Sequence, residues 1–185
     1  MIKKILFFLI ILTFFSQKSF SLPKEKIINN FIKINNISFE FQQKIDDKIE
    51  VGKCYIRYPK LIYCLYNNKD KKGIISNGKG LVIKNNRYNK TYIYPLKTTP
   101  LEYILDKKFI LDNIKNLEPK INNNTIEFLI AAEKKLIIIF FNSKTYDLAG
   151  WKTIDIYQKE VIFQINNLEK NIDIDDKRFK LPTLN

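Results

Sequence analysis

The stretch from Lys48 to Asp106 constrains the fold more than any other part of the chain. Short apolar segments recur in it at close spacing, and polar runs, glycines and prolines separate them, which is typical of antiparallel strands joined by tight turns. The strongest single signal is Asn77-Gly78, a dipeptide that favours the backbone angles of a two-residue hairpin. The stretch therefore predicts a meander of antiparallel strands.

A short helix is predicted to follow this meander, over Pro100–Asp106. Thr99 can cap it, Pro100 suits its first turn, and Glu102 stands three residues after the cap, as in a capping box. Its apolar side chains would share one side: Leu101, Ile104 and Leu105. One short helix after a run of hairpins indicates a curved sheet with a helix laid over its mouth.

The first 21 residues have the features of a secretory signal peptide. A basic start, Met1–Lys4, precedes the apolar run Ile5–Phe15, and Ser19-Phe20-Ser21 fits the small-x-small rule for cleavage. This run is much shorter than the roughly 20 residues that a membrane crossing requires. We expect residues 1–21 to be removed and residues 22–185 to form a single domain, the alternative being an uncleaved anchor. No cysteine stands near the cleavage point, so the chain itself should not be lipidated.

Composition argues against catalysis and against a metal site. The chain has no histidine, so it cannot contain a Ser–His or Cys–His pair or a His/Cys metal cluster. Asp46-Asp47 and Asp173–Asp176 could be read as carboxylate pairs, but their polar surroundings are typical of solvated turns. We therefore expect no enzyme activity, no catalytic residue, no metal and no cofactor.

The formal net charge of +13 could attract nucleic acid, anionic lipid headgroups or acidic proteins. The charges are dispersed along the chain, however, and Lys, Asn and Ile are all abundant, as AT-rich coding produces. No nucleic-acid-binding motif is visible, and the predicted export also argues against such a partner. We expect no nucleic acid to bind.

Further elements follow from the spacing of apolar residues. A helix is predicted over Pro23–Asn35, and alternation predicts strands at Ile37–Gln43, Ile49–Tyr58 and Leu61–Tyr66. Side chains alternate along a strand, so each strand groups apolar residues on one face: Phe39 and Phe41 on the first, Cys54, Ile56 and Tyr58 on the second, Ile62, Cys64 and Tyr66 on the third.

Later strands are predicted at Thr125–Glu133 and Lys135–Asn142. The second contains the continuous apolar run Leu136–Phe141. Such a run implies burial on both faces, or one face in a cavity and the other under a helix.

Cys54 and Cys64 are symmetric about Pro59 and could face each other across a hairpin with a three-residue loop. An exported protein enters an oxidising compartment, where a disulfide is permitted. The alternative is that they are two small apolar side chains in the wall of a cavity.

Several local patterns recur in the order of a known family. They are Ile75-Ser76-Asn77-Gly78-Lys79, then Tyr94-Pro95-Leu96, then Thr99-Pro100-Leu101, and late in the chain Leu148–Asp155 with a tryptophan at its centre. In this order the chain resembles the periplasmic outer-membrane lipoprotein carrier family, LolA, from about Ile28 to Pro182.

The resemblance implies a mainly β fold with some helix, in which a curved antiparallel sheet forms an incomplete, open β-barrel covered by short helices. It also implies a periplasmic monomer that holds the acyl chains of lipoproteins in a hydrophobic cavity. An inner-membrane ABC exporter would load the carrier, and an outer-membrane acceptor would receive the cargo.

The family commonly has an arginine directly before the turn proline, where it is thought to hold a helical lid shut. Tyr58 occupies that position here, and the arginine is one residue earlier, at Arg57. Tyr58 could provide a weaker latch through its hydroxyl, a bulge could re-aim Arg57, or no equivalent latch exists. Arg57 could also simply be a charge that faces solvent.

The residues expected to contact acyl chains are apolar and aromatic, since non-directional contacts suit transient carriage. They are Phe39, Phe41, Ile56, Tyr58, Ile62, Tyr66, Leu101, Ile104, Leu105, Phe128, Ile130, Ile137 and Ile139. Two other functions compete with carriage: an envelope sensor of lipids or lipopeptides on the same fold, and an all-β enzyme or sugar-binding module.

Overall fold

The computed structural model describes residues 23–133, 135–155 and 158–182. The predicted signal peptide lies outside the described residues, so its removal stays a prediction, as does the single domain over 22–185. Within the described ranges the chain forms one 11-stranded antiparallel sheet that does not close, together with three short α-helices. The prediction of an open, curved antiparallel sheet covered by short helices is confirmed.

The strands are numbered in chain order. They are β1 (Asn36–Ile45), β2 (Lys48–Arg57), β3 (Leu61–Tyr66), β4 (Gly73–Asn77), β5 (Gly80–Asn85), β6 (Lys90–Pro95), β7 (Lys120–Ile121), β8 (Thr125–Ala132), β9 (Lys135–Asn142), β10 (Leu148–Ile154) and β11 (Glu160–Lys170). The helices are α1 (Pro23–Phe31), α2 (Leu101–Ile104) and α3 (Lys107–Asn116). Single 3-10 turns occur at Leu96–Thr98 and Asp176–Phe179.

Two meanders make up the sheet, and β1 and β11 join them. The strand order is β6-β5-β4-β3-β2-β1-β11-β10-β9-β8-β7, so β6 and β7 are the edges. The predicted turn at Asn77-Gly78 connects β4 to β5, with Gly78 at φ +90° and the Asn77 side chain accepting from the next amides. Within each meander, strands that follow each other in the chain are neighbours. The first and last strands, β1 and β11, lie side by side where the two meanders meet.

The helices differ from the predictions in their ends. α1 ends at Phe31, four residues before the predicted end at Asn35, although Ile34 is still buried. Thr99 does not cap α2: its hydroxyl donates to the carbonyl of Leu96 at 2.9 Å, and Pro100 occupies the N-cap position. The capping-box prediction is therefore wrong.

One half of the concave face is filled by side chains from α1 and α3. The Phe31 ring of α1 packs edge-on against Phe141 of β9 at 5.7 Å, and Phe141 packs edge-on against Phe128 of β8. Ile110 and Ile114 of α3 are fully buried in the same cluster. Burial of this apolar surface is the main contribution to the stability of the sheet.

The apolar run in β9 is buried on one face only. Ile137, Ile139 and Phe141 lie in the core, whereas Leu136 is 60% exposed and Leu129 of the neighbouring strand is 57% exposed. The expectation of burial on both faces is thus wrong at Leu136. Along β9 the buried side chains alternate with Leu136, which is exposed, and with Ile138 and Phe140, which are partly buried, as in a strand whose second face is incompletely covered.

Gly52 lets an aromatic ring lie flat over the centre of β2. Phe41, Gly52 and Tyr66 are neighbours across β1, β2 and β3, and the Phe41 and Tyr66 rings meet edge-on at 4.8 Å. A Cβ at position 52 would stand 2.1 Å from the carbonyl oxygen of Leu65 and 2.7 Å from the Phe41 ring.

We therefore expect Gly52→Ala to lower the free energy of unfolding by about 2 kcal/mol, because the ring and the neighbouring backbone must both shift. Gly73→Ala is the matched control, since a Cβ there meets nothing closer than 3.7 Å, and it should change that free energy by less than about 1 kcal/mol. Urea unfolding of both variants measures the difference. Equal stability of the two would contradict the close approach at Gly52.

Candidate functional site: an apolar cavity under helix α2

A cavity of about 270 Å³ occupies the half of the concave face that α1 and α3 leave unfilled. β1, β3, β4 and β5 form one wall, β10 and β11 form the other, and α2 with the preceding Pro100 lies over it. The lining is Gln43, Ile45, Ile62, Cys64, Tyr66, Lys72, Ile74, Ile83, Pro100, Leu101, Ile104, Trp151, Thr153, Val161 and Phe163. Most of these side chains are apolar, so the cavity suits a hydrocarbon ligand.

Four of the residues predicted to contact acyl chains line this cavity: Ile62, Tyr66, Leu101 and Ile104. The other nine belong to the packed core around it: Phe39, Phe41, Ile56, Tyr58, Leu105, Phe128, Ile130, Ile137 and Ile139. Alternation along a strand correctly groups residues on the concave face, but it cannot separate the filled half of that face from the open half.

Trp151 and Phe163 are lining residues that the sequence reasoning missed. Their rings stack at 4.2 Å with an angle of 6° between planes, and Phe163 also stacks on Phe41 at 4.7 Å. The tryptophan falls within Leu148–Asp155, one of the patterns that carry the family resemblance, but an irregularity in pairing between Leu148 and Gly150 changes which side chains face inward beyond it. Gly150 was the sequence signal for this irregularity, because a glycine inside a strand often marks a bulge, and here it adopts φ +147°.

Cys54 and Cys64 face each other across β2 and β3 and are joined by a disulfide. Cys64 also lines the cavity, so this cross-link lies directly in its wall. Of the two alternatives, the structure contains the disulfide, and of its two cysteines only Cys64 lines the cavity. A cross-link between neighbouring strands fixes their register beside the cavity.

A charged and polar cluster lies at one end of the cavity. The Lys72 ammonium is 2.5 Å from the Glu50 carboxylate and 3.7 Å from the centre of the Tyr66 ring. Burial acts to raise the pKa of Glu50, but hydrogen bonds and charge from Lys72 and Lys48 outweigh it and lower that pKa. Glu50 is therefore a carboxylate at neutral pH, and it compensates the charge of Lys72.

Tyr66 contributes a neutral hydroxyl to the same cluster. Burial, helped by the charge of Glu50, raises the pKa of Tyr66 above its usual range. The hydroxyl donates to the side-chain oxygen of Gln43 at 2.8 Å. The polar end of the cavity thus consists of interacting groups from β1, β2, β3 and the segment before β4.

Lys60, in the turn between β2 and β3, holds α2 against the sheet. Its ammonium is 2.5 Å from the Glu102 carboxylate and 3.5 Å from that of Asp106, and its amide donates to the carbonyl of Leu105 at 2.8 Å. The Ser76 hydroxyl in turn donates to the Lys60 carbonyl. Hydrogen bonding to Glu102 raises the pKa of Lys60, so the Lys60 ammonium is charged at neutral pH.

The sequence gives no signal that Lys60 holds α2, because a lysine in a turn is usually solvated. Glu102, expected in a capping box, is instead the partner of Lys60. Asp106 has two functions, since it also accepts a hydrogen bond from the Phe109 amide and caps α3. One cation therefore connects the turn to α2, through Glu102, and to the start of α3, through Asp106.

The assignment of Arg57 to a lid latch is corrected by the structure. Its guanidinium pairs with Asp176, donates to the carbonyl of Ile174 at 2.5 Å and lies 5.4 Å from the centre of the Phe179 ring. Because side chains alternate along β2, Arg57 points to the face opposite the buried Ile56 and binds the C-terminal segment.

Tyr58 does point inward, but its hydroxyl forms no hydrogen bond with any group in the described ranges. Its ring packs edge-on against Phe31 at 5.5 Å, and burial raises the pKa of the hydroxyl above its usual range. A latch through the Tyr58 hydroxyl is therefore not formed in this structure. The ring instead packs between the sheet and α1.

The described residues contain neither a metal-binding cluster nor a membrane-spanning helix. In them, no three or more His, Cys, Asp or Glu side chains gather closely enough to hold a metal ion. Among the helices of the same ranges, none has the length and apolar character that a membrane crossing requires.

Residues 32–182 match the model of the family described as "Outer membrane lipoprotein carrier protein LolA". No curated protein matches the chain in sequence. An uncharacterized conserved protein from Thermus thermophilus has a similar structure, with a TM-score of 0.51 and 6% identity over 86% of this chain and 92% of that one. This similarity concerns the fold alone.

Two further solved structures are similar at lower scores. A LolA superfamily protein from Nitrosomonas europaea has a TM-score of 0.40 and 7% identity, over 85% of this chain and 97% of that one. A putative outer membrane lipoprotein-sorting protein domain from Vibrio parahaemolyticus has a TM-score of 0.44 and 7% identity, over 83% of this chain and 94% of that one.

We expect Lys60→Met to loosen α2 without unfolding the sheet. The variant keeps the length of the side chain and removes both ion pairs, which are partly exposed and each worth less than about 1 kcal/mol. Amide hydrogen exchange at Ile104 and Leu105 should therefore become a few-fold faster. The wild-type protein should show the same loosening as the pH rises through the raised pKa of Lys60, where the cation is lost.

Lys159→Met is the matched control, because it removes an exposed ion pair with Asp46 in the turn between β1 and β2, which does not involve α2. Exchange at Ile104 and Leu105 should be unchanged in this variant. If Lys60→Met leaves the exchange rates of α2 as low as Lys159→Met does, Lys60 does not hold the helix.

Proposed function

This chain belongs to the LolA family of outer membrane lipoprotein carrier proteins, and from that premise we propose that it carries lipoproteins by sheltering their acyl chains in the cavity under α2. It would receive its cargo from an inner-membrane ABC exporter, cross the periplasm as a monomer and release the cargo to an outer-membrane acceptor. No step of this cycle requires a catalytic residue, a cofactor or nucleic acid.

The single observation that supports this proposal is an apolar cavity covered by a helix of one turn. Transferring one methylene group out of water is worth about 0.8 kcal/mol, so the acyl chains of one lipoprotein represent tens of kcal/mol. Such a cargo crosses an aqueous compartment only inside an apolar enclosure. Ile62, Ile74, Trp151 and Phe163 supply one without directional contacts that would select one chain over another.

The size of the cavity requires the cover to move. At roughly 30 Å³ for each water-sized group, 270 Å³ accommodates on the order of nine methylene groups, which is part of one acyl chain. More chain enters when α2 moves away from the sheet. Partly exposed ion pairs such as Lys60–Glu102 suit this exchange, because water replaces them at little cost in free energy.

Release follows from the same contacts. Aromatic and branched side chains hold hydrocarbon without hydrogen bonds, so an acceptor that buries more of the chain takes the cargo by mass action. When the cavity empties, Leu101 and Ile104 can pack down onto the apolar wall. The helix would thus contact cargo in the loaded carrier and the sheet in the empty one.

Trp151 gives a direct test of binding, since it is the only tryptophan in the chain and it lines the cavity. We expect a diacylglycerol with brominated chains to quench its fluorescence saturably, and the unbrominated lipid to reverse the quenching. Leu101→Gln should weaken binding about tenfold, because the ligand must then cover a polar group.

The matched control is Leu129→Gln, which makes the same change on the exposed outer face of β8 and should bind as the wild type does. A folded protein whose tryptophan is not quenched by the brominated lipid would refute acyl-chain binding in this cavity.

Depletion of the protein in its own cells tests the transport step separately. Loss of a carrier leaves lipoproteins in the inner membrane, whereas loss of an acyl-chain sensor alters a signalling response and leaves their distribution unchanged. Fractionation of the two membranes with quantification of lipoproteins distinguishes these outcomes.

A further inference from the structure

The cavity is apolar over most of its wall, yet three polar side chains reach it at one end. Gln43 and Thr153 are buried, with 9% and 7% of their surface exposed, and Lys72 joins them from the segment before β4. A polar side chain that lines a mainly apolar cavity loses its hydration, so it is stable there only if it has a partner.

Gln43 has a partner for only one of its two amide groups. The Tyr66 hydroxyl donates to its side-chain oxygen at 2.8 Å, which fixes the orientation of the amide. Its nitrogen, by contrast, donates to no group in the ranges that the structure describes. Gln43 therefore presents an N–H donor at the cavity that the protein itself leaves unused.

Thr153 is in the same situation. Its hydroxyl makes no hydrogen bond within the described part of the chain, although the residue is buried and lines the cavity. Gln43 is paired across the sheet with Phe163 and then Trp151, and Thr153 is two residues beyond Trp151 on β10. The Thr153 hydroxyl therefore lies on the same face of the sheet as the stacked Trp151 ring, but closer to the C-terminal end of β10.

Lys72 adds further N–H donors but no free charge. Its ammonium is paired with Glu50 at 2.5 Å, and Glu50 also accepts a hydrogen bond from Asn68 at 3.1 Å. Lys48, the second cation near Glu50, has most of its side chain in solvent. A carboxylate or phosphate buried at this end would therefore lack a counter-charge of its own.

We infer that Gln43, Thr153 and Lys72 form a subsite for the ester carbonyl oxygens of an acylated glycerol group, with the acyl chains directed towards Trp151, Phe163 and Ile104. Ester carbonyl oxygens accept hydrogen bonds but carry no net charge. They therefore suit this group of donors, in which the only cation, Lys72, is already paired with Glu50. The inference rests on the proposed function and adds to it the recognition and orientation of the ester end of the cargo.

The experiment compares two ligands of equal chain length, a diacylglycerol and the dialkylglycerol ether that lacks only the two carbonyl oxygens. Both compete with the brominated lipid for quenching of Trp151, which gives their dissociation constants. We expect the wild-type protein to bind the ester about tenfold more tightly than the ether, because only the ester supplies acceptors for the unused donors.

Thr153→Val and Gln43→Leu should bring the ester and ether dissociation constants to within about twofold, and the affinity for the ether should stay the same or increase. Thr153→Val is the decisive variant, since it preserves shape and breaks no hydrogen bond within the protein, whereas Gln43→Leu also removes the partner of Tyr66. Thr125→Val is the control, because that hydroxyl bonds Glu127 on β8 outside the cavity and its loss should leave the ratio at its wild-type value.

Three results would overturn the subsite. They are equal binding of ester and ether by the wild-type protein, a loss of affinity for both ligands in Thr153→Val, and tighter binding of the free fatty acid anion than of the ester. Failure of every lipid to compete would instead count against the proposed function itself, so the two ideas fail in different ways.

Discussion

The structure depends on how the concave face of an unclosed sheet is kept from water. An open sheet of this size exposes one continuous apolar face, and α1 and α3 cover only half of it, by packing Phe31 and Ile114 onto β8 and β9. The other half is covered by α2, a helix of a single turn. The three helices therefore divide the same face into a core under α1 and α3 and a cavity under α2.

The contacts that hold α2 include polar ones that the aromatic core lacks. Phe31 is anchored by burial among aromatic rings. α2 is held partly by burial of Ile104 and of the following Leu105, and partly through Lys60, by two partly exposed ion pairs and one backbone hydrogen bond that water can replace. Arg57, the residue that the family resemblance offered as a latch, stabilises the C-terminal segment on the outer face instead.

The proposed ester subsite would give the apolar part of the cavity a direction. Hydrocarbon contacts with Trp151, Phe163 and Ile104 would set how much chain is buried but would not determine which end of a ligand points outward. Gln43 and Thr153 would offer hydrogen bonds to the ester end, while the ammonium of Lys72 is already paired with Glu50. Affinity from one part and orientation from the other would suit a carrier that must present its cargo the same way each time.

The sequence alone determined several strands and the inward faces of β1 to β3, because alternation and turn residues are local: the bounds of β3 and β9 were predicted to the residue, and Cys54 was placed opposite Cys64. It also determined the family, through the order of short motifs. Only the tertiary structure decided which concave residues line the cavity, since that depends on where three helices settle. It also decided that Lys60 holds α2, because the contact joins groups 42 residues apart, and no local pattern records such a distance.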